Sequence, residues 1–305
     1  MQIAPNIHFL QRGWENANAI LITGDEPAII DPGHTTYAHQ LPEVLSRANL
    51  TLADIRHIIN THSHWDHTSA NDDVRRASDA TVGMGELTAT YMREGRRREM
   101  WLSYFGVNPP LTLPDWTFAA GDTLTLGGMA WEVVPLPGHA PDLLGFYQPD
   151  ERVLVSADAL LPNGDCGLIN VVVHGWDALD EAMASAERIA SMDIRVVLPG
   201  HGAPITDVAA DVGRLQKRLA SFKSEPQRLI THLARRVLMA SLLTNDPIAE
   251  PKFRAKVLVT EWINDYAPMV GVSAETLYTT TLTALLHSGA VRQTENGVLI
   301  GQVPR

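Results

Sequence analysis

The sequence predicts an α/β protein with a mainly helical C-terminal module, and three observations carry that expectation. Up to about Asp207, short apolar runs alternate with stretches of helical spacing, the pattern of a layered α/β domain rather than a bundle. Beyond that point strand-like runs give way to helical ones. With 305 residues, 45% of them hydrophobic, the chain can bury a large core and still carry an appendage. The expected division is a main domain at 1–206, with a lid-like insertion at 85–120, and a module at 207–305.

Taken in order, Asn18 to Thr23 and Ala28 to Ile30 read as a hairpin turned at Gly24, Asp25, Glu26 and Pro27. Tyr37 to Ala48 has helical spacing, and Ile55 to Asn60 reads as a buried strand that delivers the chain to a His-rich loop. Further strands are expected at Thr123 to Leu126, Ala130 to Pro135, Leu144 to Tyr147, Arg152 to Ser156 and Ile194 to Leu198. A helix at Ala178 to Ser191 precedes the last of them. Near the C-terminus Ser273 is placed to cap a helix that runs through Leu286, and Gly289 supplies its stop. Ala290 to Gln293 and Val298 to Gln302 flank Asn296-Gly297, a dipeptide suited to a tight turn. Helices followed by a hairpin suggest a winged-helix-like module. Its helix offers Thr276, Tyr278, Thr279, Thr280 and Thr281 but no arginine or lysine, so walling a pocket or forming a homodimer is expected of it rather than reading a DNA groove.

Bulk properties exclude several classes. Met1 to Leu10 lacks the charged and apolar pattern of a secretory signal, and no apolar run is long enough to span a bilayer. The single cysteine, Cys166, rules out an internal disulfide framework, so a cytoplasmic protein is expected. A formal net charge of −11 argues against extended contact with a phosphate backbone. The expected partner is therefore a small molecule, not nucleic acid or a membrane.

The chemistry is concentrated in Thr61-His62-Ser63-His64-Trp65-Asp66-His67, which places four potential metal ligands in a loop directly after a strand. Imidazole and carboxylate suit zinc and other borderline divalent ions. Two further histidines share one local setting, Pro137-Gly138-His139 and Pro199-Gly200-His201, each after an apolar strand. Asp158 likewise emerges at a strand end. Seven ligands thus converge from four strand ends, where a rigid sheet can position them. Asp31, in Ile30-Asp31-Pro32-Gly33, is either a turn residue or the acceptor that fixes an imidazole tautomer.

This ordered set resembles the metallo-β-lactamase superfamily, whose hallmark is H-x-H-x-D-H followed by separate His, Asp and His ligands, over roughly Asn6 to Ala203. The resemblance implies an αββα sandwich with two divalent ions at one edge of the sheets, zinc being expected and iron or manganese the alternatives. His62, His64 and His139 would hold the first ion, Asp66, His67 and His201 the second, and Asp158 would bridge them. It also implies hydrolysis by a metal-bridging hydroxide, with Asp66 orienting it or carrying a proton. A small ester, thioester or lactone-like substrate is expected. β-Lactamases that use a cysteine ligand carry it where this chain has Asp158, and lactone hydrolases carry a tyrosine where it has Leu161. A single-strand endoribonuclease is the alternative, and a mononuclear iron persulfide dioxygenase a more distant one. His34, Trp65 and His174 are candidate substrate contacts, as are Trp101 and Tyr104, whose aromatic rings would cover an acyl chain while the insertion's arginines form a solvated face.

Overall fold

The computed structural model describes residues 1–13 and 16–302, which divide into two compact units. The first comprises Met1–Met100 and Asn108–Leu219, and the second Trp101–Val107 together with Ala220 onward.

In the first unit β1 (Gln2–Ala4), β2 (Ile7–Leu10), β3 (Ala19–Ile22) and β4 (Ala28–Ile30) form an antiparallel meander. Strands β5 (His57–Asn60), β6 (Thr81–Gly85) and β7 (Trp116–Phe118) extend it in parallel. Parallel neighbours need crossovers. Helix α1 (Leu41–Ser46) lies in the first of these, α2 (Trp65–Thr68) and α3 (Asn71–Ala77) in the second, and α4 (Glu86–Glu94) and α5 (Leu102–Phe105) in the third. A second sheet has the order β12-β11-β10-β9-β8, built from β8 (Thr123–Leu126), β9 (Met129–Pro135), β10 (Leu144–Gln148), β11 (Val153–Ala157) and β12 (Val196–Pro199). Only β11 and β12 run parallel there, and α6 (Val171–His174) and α7 (Asp177–Ser191) connect them.

One buried cluster joins Ile7, Phe9, Ile20 and Ile22 of the first sheet to Trp131, Val133, Phe146 and Val155 of the second, so the two sheets pack face to face. The burial patterns explain the sequence pattern. Strands β4, β11 and β12 are buried along their whole length and read as continuous apolar runs, whereas β8 alternates exposed and buried residues.

Helix α8 (Val208–Ser224) leads into the second unit, which contains α9 (Pro226–Leu243), α10 (Glu250–Val257), α11 (Glu261–Met269) and α12 (Ala274–His287). A small sheet of order β13-β15-β14 completes it, from β13 (Ile248–Ala249), β14 (Val291–Gln293) and β15 (Val298–Gly301). Ser273 caps α12 by accepting from the Thr276 amide, and Gly289 beyond its end has φ +76°, as expected of a helix stop. Among the described residues no helix is long and apolar enough to cross a membrane.

The stretch 85–120 is not one lid. Trp116–Phe118 is strand β7, paired to β6, and the Trp116 ring lies where a Cβ on Gly83 would come within 2.5 Å of it. Trp101–Val107 is grouped with the second unit. There the Tyr104 hydroxyl donates to Asp265, Ser103 Oγ donates to Glu261 (3.1 Å), and the Tyr104 ring meets that of Tyr266. The boundary between units falls at Leu219 rather than at 206, because α8 up to Leu219 is tied into the first unit. Asp211 accepts from the Asn163 amide, and Arg218 Nε donates to Gly164 O.

Candidate metal centre

Each candidate ligand follows the C-terminal end of a strand. Chain leaving β5 enters the His62–His67 loop and α2, β9 leads to His139, β11 to Asp158 and β12 to His201. The described residues contain three groups able to hold a metal ion: His62 with His64 and His139; His62 with His67 and Asp158; and Asp66 with His67 and His201. All seven predicted ligands are therefore brought together.

In the first group His64 Nδ1 lies 3.0 Å from His62 Nε2 and 2.9 Å from His139 Nε2. Nitrogens bound to one zinc at ~2.0–2.1 Å stand about 3.3 Å apart at tetrahedral angles, close to this spacing. In the other group His201 Nε2 lies 3.1 Å and His67 Nε2 3.7 Å from Asp66 Oδ2. Asp158 stands between the two. Its Oδ1 faces His67 Nε2 at 3.5 Å and His201 Nε2 at 3.7 Å, while its Oδ2 faces His139 Nε2 at 3.4 Å.

Hydrogen bonds on the outer side fix which nitrogen of His62, His67 and His139 is offered inward. Asp31, buried at 1% exposure, accepts from His67 Nδ1 (2.8 Å), the Thr61 amide (2.9 Å) and Thr61 Oγ1 (2.7 Å). Because the Thr61 hydroxyl gives its proton to Asp31, it accepts from His62 Nδ1 at 3.0 Å. One carboxylate thereby orients two imidazoles and points both Nε2 atoms inward. His139 Nδ1 donates to Leu168 O at 2.8 Å, with the same result. Of the two roles the sequence left open for Asp31, the structure gives it the acceptor role, on a backbone with φ +53°.

Burial, the largest cause, and the neighbouring imidazoles hold His62 and His64 well below the ordinary histidine range, and burial lowers His139 too. All three are neutral, ligand-competent bases. Burial would raise Asp158, but His201, His67 and His139 outweigh it and hold the carboxyl well below its usual range. Burial would lower His67 and His201, yet the carboxylates around them win and raise both, Asp66 and Asp31 acting on His67, Asp158 and Asp66 on His201. A metal ion at this end therefore competes with protons. The expected outcome is that zinc affinity falls as the pH is lowered from about 8 to 6, with more protons released per ion bound, measurable by calorimetry in buffers of different ionisation enthalpy.

The donor set fits divalent ions on grounds besides composition. Among the described residues His67 Nε2 and Asp158 Oδ1, 3.5 Å apart, are buried polar atoms without a hydrogen-bond partner, an arrangement that is costly unless a cation sits between them. Close backbone approach keeps the space open. A Cβ on Gly200 would lie 2.2 Å from Asp158 Oδ1 and 3.0 Å from His67 Cε1, and one on Gly167 would lie 2.2 Å from His139 Nδ1. Gly200→Ala is therefore expected to displace the Asp158 carboxylate and cost at least the ~10–100-fold in metal affinity typical of losing a supporting group, which zinc titration would measure.

The substrate candidates are placed less uniformly. Trp65 opens α2 beside Asp66 and is half-buried. His34 is electrostatically coupled to Asp66, and His174, last residue of α6, to His139. Trp101 and Tyr104 are buried at 3% and 1% within the second unit, where the Tyr104 hydroxyl and ring are engaged by Asp265 and Tyr266, so they do not act there as an exposed aromatic cover.

Several supporting residues escaped the sequence reading. Asp142 Oδ2 accepts from the Ser63 amide and from Thr88 Oγ1, both at 2.8 Å, pinning the loop between His62 and His64. Arg12 NH1 donates to Asn16 Oδ1 (3.2 Å) and Pro32 O (2.5 Å), and burial, opposed by Asp31, brings its guanidinium down to about 10. The only local signal was an unusually polar stretch, Asn16 to Asn18, entering a buried strand.

Comparison with known proteins agrees with this geometry. The family model described as "Metallo-beta-lactamase superfamily" matches residues 12–201. The probable metallo-hydrolase YqjP of Bacillus subtilis is 27% identical over 265 residues, covering 77% of this chain and 80% of that protein. The hydroxyacylglutathione hydrolase GloC of Haemophilus influenzae is 28% identical over 193 residues, 62% of this chain and 87% of that one. A crystal structure of a metallo-beta-lactamase family protein from Thermus thermophilus superposes with a TM-score of 0.60 at 21% identity, covering 99% of this chain and 100% of the other. The donor set, the fold and the relatives lead to one conclusion: the chain belongs to the metallo-β-lactamase superfamily and is a metallo-hydrolase.

Proposed function

We propose that the chain hydrolyses an ester, thioester or lactone-like bond in a small molecule with two divalent ions, zinc for preference. His62, His64 and His139 would hold one ion and Asp66, His67 and His201 the other, with Asp158 a candidate ligand in reach of both groups. The observation that carries this is Asp158, whose two oxygens face different imidazole groups. When bound, such ions supply Lewis acidity and lower the pKa of water toward neutrality.

The chain's own residues supply orientation and protons. Asp66, with an 18% exposed side chain, lies on the more open side with His201 and is placed to hold or accept a proton. His34 Nδ1 accepts from the Thr36 amide at 3.0 Å, so its proton resides on Nε2. Burial, opposed by Asp66, keeps the ring below the ordinary histidine value, and Asn16 Oδ1 anchors the His34 amide at 2.8 Å. His34 thus offers a neutral N–H to a substrate oxygen. Burial with some repulsion from His139 brings His174 down to about 4, making it a second neutral imidazole beside the centre. A thioester is favoured within the class because the Haemophilus relative is named for hydrolysis of an acyl glutathione, an acyl group on a thiol.

The test is elemental analysis of protein purified without added metal, combined with turnover of an ester, thioester, lactone and β-lactam panel. Two zinc or manganese ions with thioester turnover that falls in Asp66→Ala and His201→Ala would support the reading. One iron without hydrolysis, or full activity in both variants, would overturn it.

A further inference from the structure

We infer that Asn18 is a positioning residue for the second metal ion: it clamps the turn that carries His201 into ligand geometry before any ion arrives. Asn18 is fully buried and uses its whole polar complement there. Its Nδ2 donates to Pro199 O at 3.0 Å and to Gly202 O at 2.9 Å, and its backbone amide donates to Gly200 O at 2.7 Å. Three carbonyls of the four-residue turn around His201 thus end on one side chain and its own amide. The remaining atom, Oδ1, accepts from the Arg12 amide at 2.8 Å and cannot rotate away without losing that bond. The adjacent Ala17 amide donates to Asp66 O at 3.2 Å, so one short segment sets the spacing of two ligands of the same ion.

His201 most needs such a brace. Its side chain is 25% exposed, against 0% for His67 and 4% for His139. His67 is oriented by Asp31 and His139 by Leu168 O, whereas the described contacts of the His201 ring are with Asp66, Asp158 and the His67 ring, themselves candidate ligands. The first-ion histidines make no contact with Asn18 among the described hydrogen bonds, so the effect falls on one ion. A carboxylate in place of the amide keeps the acceptor for Arg12 but turns both donors into acceptors facing carbonyls.

This inference rests on the two-ion reading, and the experiment separates their failures. Metal-free wild type and Asn18→Asp are titrated with cobalt, following ligand-field absorption and bound stoichiometry, with Ile22→Val as a core control of modest destabilisation. Wild type is expected to bind two ions. Asn18→Asp should bind the first with unchanged affinity and the second about 10–100-fold more weakly, as when a partner outside the ligand shell is lost. Equal weakening of both ions, or unchanged binding of both, would overturn the brace while leaving the centre intact; a wild type that binds fewer than two ions would sink the two-ion reading instead. Should Asn18→Asp fail to fold, hydrogen exchange on metal-free wild type decides. Slow exchange at the Asn18 and Gly200 amides supports a prebuilt turn, and fast exchange that slows only after cobalt is added overturns it.

Discussion

On the proposed two-ion centre, Asp31→Asn should cost the second metal ion while leaving most of the fold in place. The carboxylate accepts three hydrogen bonds, from His67 Nδ1, the Thr61 amide and the Thr61 hydroxyl. An amide of the same shape can accept through one oxygen only, so its NH2 must face a donor. The cheapest escape is for His67 to change tautomer, accept at Nδ1 and carry its proton on Nε2, where the ion would bind. Asparagine also tolerates the left-handed backbone at this position (φ +53°), which limits the purely conformational cost. Metal analysis and calorimetry are the measurements. The expected result is a fall of about 10–100-fold or more in affinity for the second ion. A smaller loss at the first site should follow, because Thr61 passes the same orientation to His62. Wild-type stoichiometry and affinity in Asp31→Asn would show that His67 is held by something else.

Removal of the Asp158 carboxylate should have the larger effect on catalysis. Its oxygens lie 3.4–3.7 Å from three imidazole nitrogens belonging to both groups, so Asp158→Ala takes a ligand from each ion at once. Turnover should fall by more than the ~100-fold upper end for losing a group outside the ligand shell, and metal content should drop to one ion or fewer. Asp158→Glu is not expected to rescue it, because Gly200 leaves no room for a longer side chain at Oδ1. The electrostatics of the site offer a second readout. Asp158 is the largest influence raising His201, so Asp158→Ala should lower that histidine's titration point, readable by NMR on metal-free protein. Retained two-ion binding and activity would mean that the two groups act as separate centres.

Much of the centre is legible in one dimension because its ligands come from local motifs. His62, His64, Asp66 and His67 fall within six residues, the Pro-Gly-His settings of His139 and His201 each follow a strand, and the strand before His201 is a continuous apolar run. Such runs mark strands buried on both faces, and their ends are where polar side chains can leave the core without losing support. The same logic placed the β3–β4 hairpin, β8 to β12 and the helix capped by Ser273. Strands β6 and β7 were less visible. Gly83 and Gly85 depress the strand signal of the first, and β7 has only three residues, so pairing and the packing of Trp116 on Gly83 stabilise what local propensity does not. Tyr104 shows a related difficulty. An aromatic reads the same in sequence whether it covers a ligand or fills a core, and its contacts with Asp265 and Tyr266 are visible only in the structure.

By itself the sequence determined the class of layered fold, the seven candidate ligands and the chemistry those residue types permit, since each is encoded by residue type and short-range spacing. The tertiary structure alone decided which imidazole nitrogen faces inward, which oxygen of Asp158 serves which group, and that Asn18 grips Pro199 across 181 residues of chain. Those decisions are hydrogen bonds and close approaches between distant segments. Their energies depend on ångström-scale placement, which no periodicity in the sequence records.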